Sequence, residues 1–133
     1  MKALAGTEVV LDPWTLMDLL RFGKSRGDEA LSQLLAAFSR EAADRLISLR
    51  TAAATGDLTT TRDIAHGLRG SSSAVAATLV AECCAEIEAA SVAGDRESAL
   101  AAINELGSRL DGALCALERV LNTGTMTTES EGI

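Results

Sequence analysis

The chain has 133 residues, 47 % of them hydrophobic and only 2 % aromatic, with a formal net charge of −7. That length suits one domain burying roughly two thirds of its unfolded surface, and a core of Ala, Leu, Val and Ile favours closely packed helices. The negative charge argues against a nucleic-acid partner, and the lack of a long apolar run or a signal-like N-terminus argues against a membrane.

Asp12-Pro13 reads as an N-cap followed by proline at the first helical position, which predicts a short helix over 13–22. Its Trp14, Leu16, Leu19 and Leu20 are expected to cover one end of a bundle. Three Gly-Asp pairs then punctuate the chain: Gly27-Asp28, Gly56-Asp57 and Gly94-Asp95. Glycine closes one helix in the left-handed conformation, and aspartate caps the next. Between the first two seams, Leu31, Leu35, Phe38, Ala42, Leu46, Leu49 and Ala53 form an apolar stripe at steps of three and four. The span 57–93 is too long for one helix and changes phase near Ala76-Ala77. It splits into a helix with Leu58, Thr61, Ala65, Leu68, Ser72 and Val75 inward and another with Val80, Cys84, Ile87 and Ser91 inward. The last helix, 96–122, carries Ile103, Leu106, Leu110, Leu114, Leu117 and Leu121.

Short connections make neighbouring helices antiparallel. The expected fold is therefore all-α: an antiparallel up-down-up-down four-helix bundle with a short N-terminal capping helix. The domain spans 1–122, and the Thr-, Ser- and Glu-rich stretch 123–133 is expected to be a disordered tail. Cys83, Cys84 and Cys115 are odd in number, and adjacent cysteines cannot bridge without strain. They are expected to be reduced, buried small hydrophobes of a cytoplasmic protein. One histidine and no Cys-x-x-Cys spacing point to no bound metal.

That histidine, His66, lies in Ala65-His66-Gly67-Leu68-Arg69-Gly70-Ser71-Ser72-Ser73 and points roughly 140° away from the inward stripe of its helix. Arg62, Arg69, Gly70 and Ser73 stand around it at helical spacings. Gly67 and Gly70 each cost roughly 1 kcal/mol relative to alanine, which suggests that bare backbone is needed there. A neutral imidazole nitrogen is a competent phosphoryl acceptor near pH 7, and the phosphoramidate it forms keeps a high transfer potential. Arg69 is placed to stabilise a phosphoryl group, and Gly70 leaves clearance for a partner. Arg62 and Ser73 are candidate partner contacts. Ser72, on the inward stripe, is expected to bond back within its helix.

Together with Ala77, Val80, Cys84, Ile87 and Glu88 downstream, this stretch resembles the histidine-containing phosphotransfer (HPt) domains of bacterial and fungal phosphorelays. Val10-Leu11-Asp12-Pro13, Leu34-Leu35-Ala36-Ala37-Phe38, Ala54-Thr55-Gly56-Asp57-Leu58 and Ala93-Gly94-Asp95 extend the likeness to roughly 9–121. The resemblance implies that His66 is the phosphorylated histidine. Arg69 stands at the family's usual lysine, Gly70 matches its glycine, and Ala76 replaces a glycine common at the turn between the third and fourth bundle helices. It further implies shuttling of a phosphoryl group between the aspartates of receiver domains, on response regulators or hybrid histidine kinases. The chain itself would hold no cofactor, with Mg²⁺ on the receiver. It lacks a phosphate-cradling glycine loop and a kinase signature, so it is expected to be a monomeric carrier without ATP-dependent activity. A helical adaptor that binds receiver or kinase domains without phosphotransfer is the alternative. The dimerisation segment of a histidine kinase fits less well, because the chain has four-helix punctuation.

Overall fold

The computed structural model describes residues 11–123. Within them lie five helices: α1 (Pro13–Arg26), α2 (Asp28–Ala54), α3 (Leu58–Ala74), α4 (Thr78–Val92) and α5 (Arg96–Thr123). No strand occurs among the described residues; there is only an isolated antiparallel bridge between Leu11 and Ala77. Of the stretch 123–133 expected to form a tail, Thr123 ends α5 and 124–133 lie outside the described residues.

The junctions follow from local chemistry. The Asp12 carboxylate accepts from the Thr15 backbone N–H at 3.2 Å and from the Thr15 hydroxyl, with Pro13 at the helix start. The Asp12 N–H donates to the Ala76 carbonyl at 2.8 Å, tying the start of α1 to the α3–α4 turn. α1 runs one turn beyond the expected 13–22, and in that turn Gly23 lets the helix pass close to Leu31 on α2: a Cβ there would meet Leu31 Cδ2 at 3.0 Å. Gly27, Gly56 and Gly94 all adopt positive φ, at 105°, 82° and 73°. Asp57 and Asp95 cap as expected, accepting from the Thr60 and Ser98 backbone N–H groups at 3.1 and 3.0 Å. At the first seam the expectation fails. Asp28 is already inside α2, and its side chain makes no capping bond. Ala76 takes φ 67°, so the α3–α4 turn keeps a left-handed residue without glycine.

The expected stripes face inward. Leu31, Leu35, Phe38, Ala42, Leu49 and Ala53 of α2 meet Ala65 and Leu68 of α3, Val80, Cys84 and Ile87 of α4, and Ile103, Leu106, Leu110 and Leu117 of α5 in one core. Ala113 and Val120 are buried there, while Leu114 and Leu121 are only partly covered. α2 packs on α3 and α5, α4 packs on both of these as well, and α1 packs on α2. Arg96 closes the end of α2 by donating to the Ala53 and Ala54 carbonyls at 2.9 and 2.6 Å, at a helix terminus where carbonyls run out of partners within the helix.

Three side chains depart from expectation. Trp14 is 76 % exposed, so only Leu16 and Leu19 of the α1 set are buried, with Leu20 partly so. Cys115 is exposed, since it lies between the inward positions Ala113 and Leu117; Cys83 and Cys84 are buried, and burial pushes their thiols up to about 11 and about 12. Ser72 is fully buried, but its Oγ has no hydrogen-bond partner among the described residues, in contrast to Thr61 and Ser91, which donate to backbone carbonyls at 2.8 Å. Among the described residues no helix is long and apolar enough to cross a membrane.

Candidate functional site

α3 is held from below by Thr61, Ala65, Leu68 and Ser72, which are fully buried. With that face fixed, helical geometry directs His66 outward, and its side chain is 75 % exposed. Its ring is nonetheless ordered. Nδ1 lies 2.9 Å from Glu88 Oε2 on the adjacent helix α4, while Arg69 Nη1 donates to the other oxygen, Oε1, at 3.0 Å.

Glu88 is the hinge of this arrangement, with only 17 % of its side chain exposed. Burial alone would raise its carboxyl, but the hydrogen bonds from Arg69 and His66 outweigh that and hold it below the usual carboxylate range. An ionised carboxylate can only accept, so the shared proton resides on Nδ1, and the neutral form of the ring carries its lone pair on Nε2. In that form the ring, oriented by a half-buried carboxylate, presents Nε2 to solvent as a nucleophilic nitrogen. The same anion stabilises the positive charge that the ring acquires when Nε2 forms a bond.

The two glycines differ. Gly70 is exposed, and a Cβ built on it would meet nothing within 4 Å, so a bare surface lies one turn beyond His66. Gly67 is half-buried. A Cβ there would overlap Arg45 Nη1 and lie 3.0 Å from its Cζ, because the Arg45 guanidinium, reaching from α2, lies across it. Arg45 Nε pairs with Glu41 at 2.9 Å, and the same Glu41 oxygen accepts from Ser71 Oγ at 3.0 Å.

Residues 33–120, more than half of the chain, match the family model of the Hpt domain. The chain belongs to the Hpt domain family. The crystal structure of histidine-containing phosphotransfer protein B (HptB) from Pseudomonas aeruginosa PAO1 is similar, with a TM-score of 0.76 at 26 % identity, covering 86 % of this chain and 96 % of that one. No curated protein matches the chain. This Hpt protein is a histidine phosphotransfer protein of phosphorelays, and Hpt proteins are phosphoryl carriers rather than kinases.

Of the residues singled out by sequence, His66, Arg69, Gly70 and Ser73 share the exposed side of α3. Ser73 and Arg69 also line a groove with Asp12, Thr78, Glu82 and Ala85, where the start of α1 passes α4. Arg62 is not brought to the imidazole in this structure; its guanidinium pairs with Asp63 at 3.2 Å. Glu88 was part of the sequence resemblance without a role, and Arg45 was not singled out. Both act across helices, 22 and 21 positions from His66, where periodicity within one helix carries no signal. Among the described residues no three His, Cys, Asp or Glu side chains gather as a metal set.

Proposed function

We propose that His66 is the phosphoacceptor, with Nε2 as the attacking atom. The observation that carries this reading is the 2.9 Å contact between Nδ1 and Glu88, which fixes the tautomer of an imidazole otherwise open to solvent. A phosphorylated receiver aspartate is the donor. The Nε2 lone pair attacks phosphorus, the P–O bond to the aspartate breaks, and the carboxylate leaves with the bonding electrons. The Nδ1–H and Glu88 balance the charge on the ring, and the reverse step loads a second receiver. Mg²⁺ belongs to the receiver side of this encounter.

Arg69 serves first by holding Glu88 in line and then by offering its remaining N–H groups to the phosphoryl oxygens. Gly70 leaves room for the incoming receiver loop, and Arg62 and Ser73 contact the receiver at the margin. The domain on this reading is an antiparallel up-down-up-down bundle of α2–α5 with α1 as its cap. Junctions of a few residues and the closed circuit of packing from α2 through α3, α4 and α5 back to α2 support it. It acts as a cytoplasmic monomer and uses no ATP itself.

Incubation of the purified protein with a phosphorylated receiver domain is expected to give an acid-labile, base-stable label that His66→Ala abolishes. A label that survives the substitution, or one formed from ATP alone, would overturn the assignment.

A further inference from the structure

Every cation near His66 is matched by a carboxylate before any phosphoryl group arrives. Arg69 pairs with Glu88, Arg62 with Asp63 and Arg45 with Glu41. Arg69 and Arg45 approach from opposite flanks: Arg69 stands with Glu88 on the α4 side, and Arg45 crosses Gly67 on the α2 side. Gly67 directly follows His66, about 100° around the helix from it.

Arg45 is anchored at only part of its fork. Nε is paired with Glu41, and Nη1 donates to the Ile64 carbonyl at a long 3.4 Å. Nη2 has no hydrogen-bond partner among the described residues. Glu41 is itself shared with Ser71, whose hydroxyl also donates to the Gly67 carbonyl at 3.2 Å. The missing Gly67 side chain thus lets a long, partly exposed cation rest against the backbone beside the phosphoacceptor. A bulkier residue at 67 would displace it.

Resting on the assignment of His66, we propose that Arg45 is a phosphoryl-binding residue that swings from Gly67 onto the oxygens of phospho-His66. The dianionic phosphoryl group competes for the guanidinium against a singly charged Glu41 and a weak carbonyl contact. It does not have to break the Arg69–Glu88 bond, whose carboxylate orients the imidazole. Phosphorylation is therefore accompanied by loss of the Arg45–Glu41 pair, and the α2 flank of the site carries different charges in the two states.

The test loads the full chain with potassium phosphoramidate: the P–N bond of the reagent breaks, ammonia leaves, and an Nε2–P bond forms. The second ionisation of the phosphoryl group is then followed by ³¹P NMR against pH. Arg69, Glu88, Arg62 and Asp63 are the other charged groups around the ring, and they stay constant in every variant. Arg45→Gln is expected to raise the ionisation midpoint by about half a pH unit, because a nearby cation favours the dianion. Arg45→Lys is expected to recover part of the shift. Glu41→Gln, by freeing the guanidinium, is expected to lower the midpoint, an effect that disappears in the Arg45→Gln background. Equal midpoints in the wild-type, Arg45→Gln and Arg45→Lys proteins would show that Arg45 only staples α2 to α3, and would leave the role of His66 standing. Absence of a phosphohistidine signal from the wild-type protein, or its persistence in His66→Ala, would overturn both proposals.

Discussion

On one side of α3, Thr61, Ala65, Leu68 and Ser72 are fully buried; on the other, His66, Arg69, Gly70 and Ser73 are exposed, and the first two share Glu88 as a partner. The inner side holds the helix in place and the outer side carries the chemistry. Because the two share a backbone but scarcely a contact, stability and phosphotransfer should respond to different substitutions. That separation is what allows an exposed imidazole to be both accessible and positioned.

The strongest test is a paired one. His66→Ala should remove all phosphoryl acceptance while changing stability by no more than about 0.5 kcal/mol, as expected for an exposed position. Leu68→Ala, two residues away but fully buried, should cost about 2–5 kcal/mol in chemical denaturation and leave transfer intact under conditions where the variant is folded. Large stability loss in the first variant would collapse the distinction between the faces.

Gly70→Gln should come next, slowing receiver-dependent transfer by about tenfold or more without unfolding the domain, since a Cβ there meets nothing within 4 Å. Its control, Gly70→Ala, should gain stability of about 0.5–1 kcal/mol through helix propensity. Normal transfer by the glutamine variant would show that the partner does not approach over this turn.

Ala76→Gly sharpens the comparison from the end of the same helix. Ala76 is held at φ 67°, a conformation that costs a residue with Cβ about 1–2 kcal/mol. Part of this is offset by the greater freedom of glycine in the unfolded chain, so a gain of about 0.5–1 kcal/mol in thermal unfolding is expected. An unchanged or lower stability would mean that packing of the buried methyl outweighs the backbone strain.

The smallest effect concerns acid. Hydrogen bonds from Thr60 and Ser98 hold the Asp57 and Asp95 carboxyls below their ordinary value of 3.8. The stability they add is complete above that value and is lost as pH falls through the lower folded-state values. The melting temperature of the wild-type protein should therefore fall more steeply in this acid range than that of Asp57→Asn/Asp95→Asn. Parallel curves would remove the caps from the acid response.

Much of the inner side was legible in the sequence, because burial repeats along a helix at three and four residues. The glycines of the seams were legible as well, since positive φ selects for them. Asp28 was misread because it sits one position inside the helix it was expected to cap, a distinction that rests on backbone geometry and not on residue type. Trp14 and Cys115 were misplaced because hydrophobic character was allowed to outweigh phase: each lies two positions from a buried residue, about 200° around the helix from it. On the outer side, His66, Arg69 and Gly70 could be read from one helix, whereas Glu88 and Arg45 could not. Their meaning depends on how α4 and α2 rotate against α3, and a single sequence does not display that rotation. Ser72 belongs to the same class, since a hydroxyl on an inward stripe can turn to its own helix or stand unpaired.

The distribution of thiols offers a practical handle. Cys83 and Cys84 are shielded by the core and hard to ionise, whereas Cys115 is open on α5. In the circuit of packed helices α5 lies across from α3, since both pack on α2 and α4. A thiol-reactive dye applied to the native protein should thus attach at one point, on the side away from His66. Without engineered cysteines, such a conjugate would report the docking and departure of a receiver as a change in tumbling or energy transfer.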